Sequence, residues 1–205
     1  MEYFKGLIAD RQQDPTDDLT SFIVNGRIDG ELLAEQDLLF TLLLMFMAGL
    51  DTVTQQLAYS FLHLATHPED RRRIVDHPEI IPDAVEEFLR AYAIVVPGRK
   101  ATRDEVFHGC PISKGDMVIL PLVAANHDPR TFSEPDKVIL DRKPNPHLAF
   151  GAGPHRCIGS HLARREMRIA FEEWHKRIPD YRLADGGEPR EHGGMMGMHN
   201  LPLVW

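Results

Sequence analysis

The sequence predicts a mainly α-helical protein with a small β portion, and three observations carry that expectation. A stretch beginning at Glu31 or Glu35 and ending near Thr66 reads as one extended apolar helix, and a second helical pattern runs from Ser160 to Ile178. Strand-like alternation is confined to about residues 105–123 and 181–205. The 205 residues suit one substantial core. With 43% hydrophobic and 26% charged residues, the composition is that of an ordinary soluble protein. A formal net charge of −8 and the lack of any basic run argue against a nucleic-acid surface. Two cysteines, Cys110 and Cys157, exclude a disulfide framework and fit reduced thiols in a cytoplasmic setting. Met1 to Gly6 contain no apolar signal core.

Residues 3–13 read as a short amphipathic helix with Phe4, Leu7 and Ile8 on one side. Pro15 breaks it, and Asp17 or Asp18 caps a short helix through Val24. Asn25-Gly26 and Asp29-Gly30 are turn signals that suit a tight hairpin. The long helix then runs roughly eight or nine turns to Thr66, where His67-Pro68 stops it. Its run at 38–50, LLFTLLLMFMAGL, is short of the roughly 18–20 residues that span a bilayer. Asp37 and Asp51 bracket it, so the expectation is a helix buried on most sides and no membrane segment. Glu69 to Arg73 begin a short surface helix, and Pro82 opens another from Asp83 to Tyr92. Val106–Ile112 and Met117–Leu122 alternate like the two arms of a hairpin around Ser113 to Asp116. The proline-rich segment 126–156 reads as a long ordered loop, a length uncommon without a function.

Three constellations carry chemistry. In Phe150-Gly-Ala-Gly-Pro-His-Arg-Cys157-Ile-Gly159, the glycines let the loop approach a flat ligand closely. Gly159 lets a helix begin directly behind the sulfur, where free N–H groups and the positive dipole end favour a thiolate. Zinc would need a second Cys/His pair at ligand spacing, which His155, Cys157 and His161 lack. A nucleophilic cysteine would also suit a helix start, but the whole string favours thiolate ligation of haem. Cys110 reads as a buried apolar residue inside a strand. Glu87-Phe-Leu-Arg90 places a carboxylate and a guanidinium on one helical face. Ala48-Gly49-Leu50-Asp51-Thr52 sets a costly polar pair in the middle of an apolar helix, where Thr52 bonding back to Ala48 would open the helix locally.

Together these motifs resemble the bacterial soluble type of cytochrome P-450, the haem-thiolate monooxygenase family, and the similarity runs from residue 2 to 205. The resemblance implies the C-terminal half of that fold, one partial haem domain over residues 1–205, with the N-terminal half outside this chain. It implies haem b with Cys157 as axial ligand, Arg99 and His155 on the propionates, and Phe150, Gly151 and Gly159 around the ring. Glu87, Arg90 and Arg142 would form a structural ionic triad, and Asp51 with Thr52 would deliver protons to dioxygen. The tail Leu201-Pro-Leu-Val-Trp205 and the Ala163-Arg-Arg-Glu-Met167 helix resemble the camphor-hydroxylating branch. That branch would place Leu44, Met47, Ala48, Val95, Val96, Met195 and Met196 around a small apolar, terpenoid substrate. Electrons would come from NAD(P)H through a ferredoxin-type partner. Two rival readings are a haem-binding sensor without turnover and an inactive truncated fragment.

Overall fold

A computed structural model of the chain describes residues 1–193 and 196–205, and it divides them into two compact units, Met1–Asp51 and Thr52–Trp205. In the first unit, helix α1 (Glu2–Gln13) and α2 (Leu19–Val24) precede a hairpin of β1 (Arg27–Ile28) and β2 (Glu31–Leu32), then α3 (Glu35–Leu50). Asp18 caps α2, its Oδ1 accepting the Ser21 N–H at 2.6 Å. Asp29 and Gly30 both take positive φ, 52° and 87°, the turn geometry an Asp-Gly pair accommodates. Ile8, Val24, Leu38, Leu39 and Leu42 form this unit's core.

The long helix starts at Glu35, the second of the two starts the sequence offers, since Glu31 lies in β2. Its expected continuity is corrected, because it parts at Asp51 (φ −101°, ψ −28°) into α3 and α4 (Thr52–Thr66). Gly49 weakens the ladder there, and an aspartate side chain competes with it for hydrogen bonds. The expected burial on most sides holds for α4 and not for α3. Only Leu38, Leu39 and Leu42 of α3 are buried, while Leu44, Phe46, Met47 and Leu50 are exposed. By length and composition alone the 32 residues Glu35–Thr66 could cross a membrane. Yet α4 buries Gln56, Ser60 and His63 beside Leu64 and Ala65, the pattern of a helix in a packed core.

The second unit packs α4, α5 (Pro68–Asp76), α6 (Ile81–Ala91) and α8 (Ser160–Arg177), with the short α7 (Leu122–Asn126) between α6 and the long loop. Its core holds Leu64, Ile74, Phe88, Leu140, Met167 and Phe171, all essentially inaccessible. The strands form antiparallel pairs: β3 (Gly98–Lys100) with β6 (Met117–Ile119), and β4 (Glu105–Phe107) with β5 (Cys110–Ile112). Near the C-terminus, β7 (Arg182–Leu183) pairs with β10 (Leu203–Val204), and β8 (Arg190–His192) with β9 (Gly197–Asn200). The expected hairpin of 106–112 against 117–122 is therefore corrected. His108 (φ 48°) and Gly109 (φ 83°) turn the chain inside the first expected arm, and β6 pairs with β3 instead. Leu122 begins α7, and Cys110 is exposed because its short pair has no layer covering it.

Candidate active site

The site in the second unit is built on α6. Proline in its first turn and an apolar face of Ile81, Ala84, Val85 and Phe88 fix the helix against the core. Glu87 and Arg90, one turn apart, are both fully buried. Arg90 donates to the Glu87 carboxylate through Nε and Nη2, each at 2.9 Å. Arg142, from the long loop, donates through Nε at 3.1 Å to both oxygens. The Ile139 N–H (2.8 Å) and Asn145 Nδ2 (3.1 Å) complete the carboxylate's shell. Two guanidiniums against one carboxylate leave excess positive charge. Carbonyls absorb it: Asn126, Pro135 and Lys137 accept from Arg90, and Ser133, Glu134 and Lys137 from Arg142. The triad is thus the scaffold of a loop without regular structure.

That loop delivers the cysteine. Gly151 (φ 68°) and Gly153 (φ 71°) adopt left-handed backbone that side-chained residues resist, so the chain reverses tightly into the helical turn Gly153–His155. The Cys157 N–H donates to the Phe150 carbonyl at 2.9 Å, which closes the loop on itself. Cys157 is exposed, and beside it Ile158 is 88% exposed. Gly159 caps α8 without any side-chain hydrogen bond, so no side chain competes for that helix end. A Cβ at Gly153 would meet nothing within 4 Å, whereas one at Gly159 would touch Cys157 Sγ at 3.9 Å.

Two further anchors lie outside the motifs. Buried Asn126 donates to the Arg90 carbonyl at 3.2 Å and accepts the Leu148 N–H at 2.7 Å, tying α6 to the start of the cysteine loop. Glu86 accepts from Arg164 of α8 at 2.6 and 2.9 Å and from His147 at 2.9 Å. Burial pushes the Glu86 carboxyl up, but the hydrogen bonds and charges of His147 and Arg164 outweigh it and hold it at about 2.

The remaining sequence-predicted residues are dispersed. Arg99 lies exposed on β3, its Nη1 donating to the Gly98 carbonyl at 2.8 Å, and His155 is exposed in its turn. Val95 and Met196 join one apolar cluster with Tyr59, Ile94 and Met198, and Val96 is half-buried. Met195 lies outside the described residues. Leu44, Met47, Ala48 and Asp51 belong to the first unit and are exposed; Thr52, half-buried, opens α4.

The donor chemistry fits a haem. No group of three or more His, Cys, Asp or Glu side chains able to share a metal ion occurs among the described residues. Of the two exposed thiols, Cys157 is the one in the glycine-flanked loop, and it would serve an iron that needs a single ligand from the protein.

Known proteins share this fold and part of this sequence. The family model described as Cytochrome P-450 matches residues 4–174. Probable cytochrome P-450 127A1 of Sinorhizobium fredii is 40% identical over 97% of this chain and 48% of its own length. Mycinamicin IV hydroxylase/epoxidase of Micromonospora griseorubida is 39% identical over 99% of this chain and 53% of its own. The solved structure of the Bacillus subtilis bacillaene polyketide synthase enzyme PksS superposes with a TM-score of 0.92 at 36% identity, covering 98% of this chain and 53% of that one. The chain thus spans about half the length of the curated relatives it matches.

Proposed function

The chain belongs to the cytochrome P-450 family, and we propose that it forms the cysteine-bearing part, one partial haem domain, of a haem-thiolate monooxygenase. One observation carries this reading: exposed Cys157, its N–H fixed on the Phe150 carbonyl, stands directly before the uncapped start of α8. The first N–H groups of a helix lack intrahelical partners, so an anionic ligand placed there is stabilised. Phe150, Gly151 and Gly159 would face the ring of haem b, and Arg99 and His155 its propionates. When bound, haem supplies the redox chemistry that places one oxygen atom of O2 into a substrate, with a thiolate favouring O–O cleavage. Asp51 and Thr52, at the break between α3 and α4, hold and pass the protons that chemistry consumes. Glu87, Arg90 and Arg142 act structurally, keeping the loop and its thiol in place.

The finer reading is a small apolar substrate of terpenoid kind, met by Leu44, Met47, Ala48, Val95, Val96, Met195 and Met196, and a place beside the camphor-hydroxylating branch. The supporting feature is that all seven side chains are apolar. NAD(P)H would supply electrons through a ferredoxin-type partner, in the cytoplasm. The experiment is the spectrum of reduced protein under carbon monoxide. Cys157→Ser should abolish the red-shifted thiolate Soret band, and Cys110→Ser should keep it. A thiolate band that survives Cys157→Ser would refute the ligand assignment. Haem binding without turnover is the rival reading, and it needs no proton relay at Asp51 and Thr52. Product formed in step with reductant consumed would dismiss it.

A further inference from the structure

Beside the buried triad, α6 carries a second ionic knot that the haem-thiolate reading does not use. Glu86 grips Arg164 with both carboxylate oxygens and also receives His147. His147 Nε2 faces a Glu86 carboxylate oxygen at 2.9 Å, and its Nδ1 accepts the Ala149 N–H at 3.3 Å. The Arg164 guanidinium carbon lies 4.5 Å from the centre of the Phe150 ring, and the His147 ring centre is 6.2 Å from it. Phe150 is therefore contacted by a cation and an imidazole that share one carboxylate. The same residue supplies the carbonyl that receives the Cys157 N–H. Ring and acceptor belong to one residue, so holding the ring in place restrains the backbone that bears the carbonyl. Isolated surface ion pairs contribute little, but here the His147 side chain is only 3% exposed and the pair is a two-bond fork.

We propose that Glu86, His147 and Arg164 are positioning residues for Cys157, clamping the Phe150 ring and so holding the acceptor of the cysteine's backbone amide. The inference rests on the haem-thiolate reading for its functional meaning, although the clamp itself is a property of the loop. Helix α6 then anchors the loop twice, Glu87 fixing its first half and Glu86 the segment that ends at the sulfur.

The test uses the 205-residue chain with Arg164→Gln, Arg164→Lys and His147→Gln. Hydrogen exchange is followed at the Cys157 amide, with amides of α4 and α6 as internal controls. Arg164→Gln should speed exchange at Cys157 about tenfold and leave the controls unchanged. His147→Gln should do the same to a smaller extent, and Arg164→Lys, which keeps the charge without the fork, should recover part of the protection. In haem-loaded, reduced protein under carbon monoxide, Arg164→Gln should move part of the Soret absorbance from the thiolate to the shorter-wavelength thiol position. Unchanged exchange at Cys157, or an equal rise in α4 and α6, overturns the proposal. Should the parent protein show no thiolate band, the haem-thiolate reading fails, and exchange at Cys157 still decides whether the knot holds the loop.

Discussion

Helices α6 and α3 invert the usual placement of charge and hydrocarbon. In α6 the charged Glu87 and Arg90 are wholly inaccessible. In α3 the apolar Leu44 and Met47 are 67% and 62% exposed. Hydropathy alone ranks these residues the other way round. The difference lies in what each side chain meets. Glu87 accepts from two guanidiniums, an amide N–H and Asn145, and the guanidiniums spend their remaining protons on loop carbonyls. Desolvation of those charges is costly, and dense pairing offsets it. Beyond Leu42, α3 turns Leu44, Phe46, Met47 and Leu50 toward solvent. Burial in this chain follows the supply of partners.

The largest expected effect tests the charged side of this contrast. Glu87→Ala leaves Arg90 and Arg142 buried together without their shared anion, which should destabilise the fold by about 3–5 kcal/mol in chemical unfolding. A loss below about 1 kcal/mol would mean that water or backbone replaces the carboxylate, and that the triad is not the scaffold of the loop.

A smaller effect separates Glu86 from its buried neighbour. The Glu86 carboxyl is held at about 2, below its ordinary value of 4.5. A depressed carboxyl contributes stability that is present above its unfolded value and is lost as pH falls through the folded one. The parent should therefore lose this contribution between about pH 4.5 and 2, while Glu86→Gln has none to lose. Unfolding midpoints of the two proteins should differ at neutral pH and converge toward pH 2. A constant gap across that range would show that the His147 and Arg164 contacts do not depend on the carboxylate's charge.

Legibility from sequence tracks the distance along the chain over which each interaction acts. Glu87 and Arg90 stand one helical turn apart, so their pairing is visible as spacing, and the Asp18 cap and the Asp29-Gly30 turn are equally local. The cysteine loop is readable because its glycines sit where positive φ is required. His147 and Glu86 lie 61 residues apart, and Asn126 and Leu148 lie 22 apart, so no local pattern announces either contact. The mistaken hairpin has a different cause. Gly109 is the one turn signal there, His108 beside it takes a left-handed conformation more often left to glycine or asparagine, and the alternation of neighbouring residues hides the turn. The polar pair Asp51-Thr52 marks the place where α3 parts from α4, but sequence alone predicts only a local opening within one helix.

The smallest expected effect on stability tests the apolar side of the comparison. Leu44 and Met47 are exposed, so their hydrocarbon loses little water contact on folding, and replacing it removes little. Leu44→Gln with Met47→Gln should leave the unfolding free energy within about 0.5 kcal/mol of the parent. Leu64→Ala, a truncation in the core of the second unit, should cost about 2–5 kcal/mol under the same conditions. The double variant should still change what the surface does: it should bind less of a hydrophobic dye and self-associate less in sedimentation, because an apolar patch has been made polar. A loss of 2 kcal/mol or more in the double variant, with dye binding unchanged, would place those side chains in a covered environment and erase the contrast with α6.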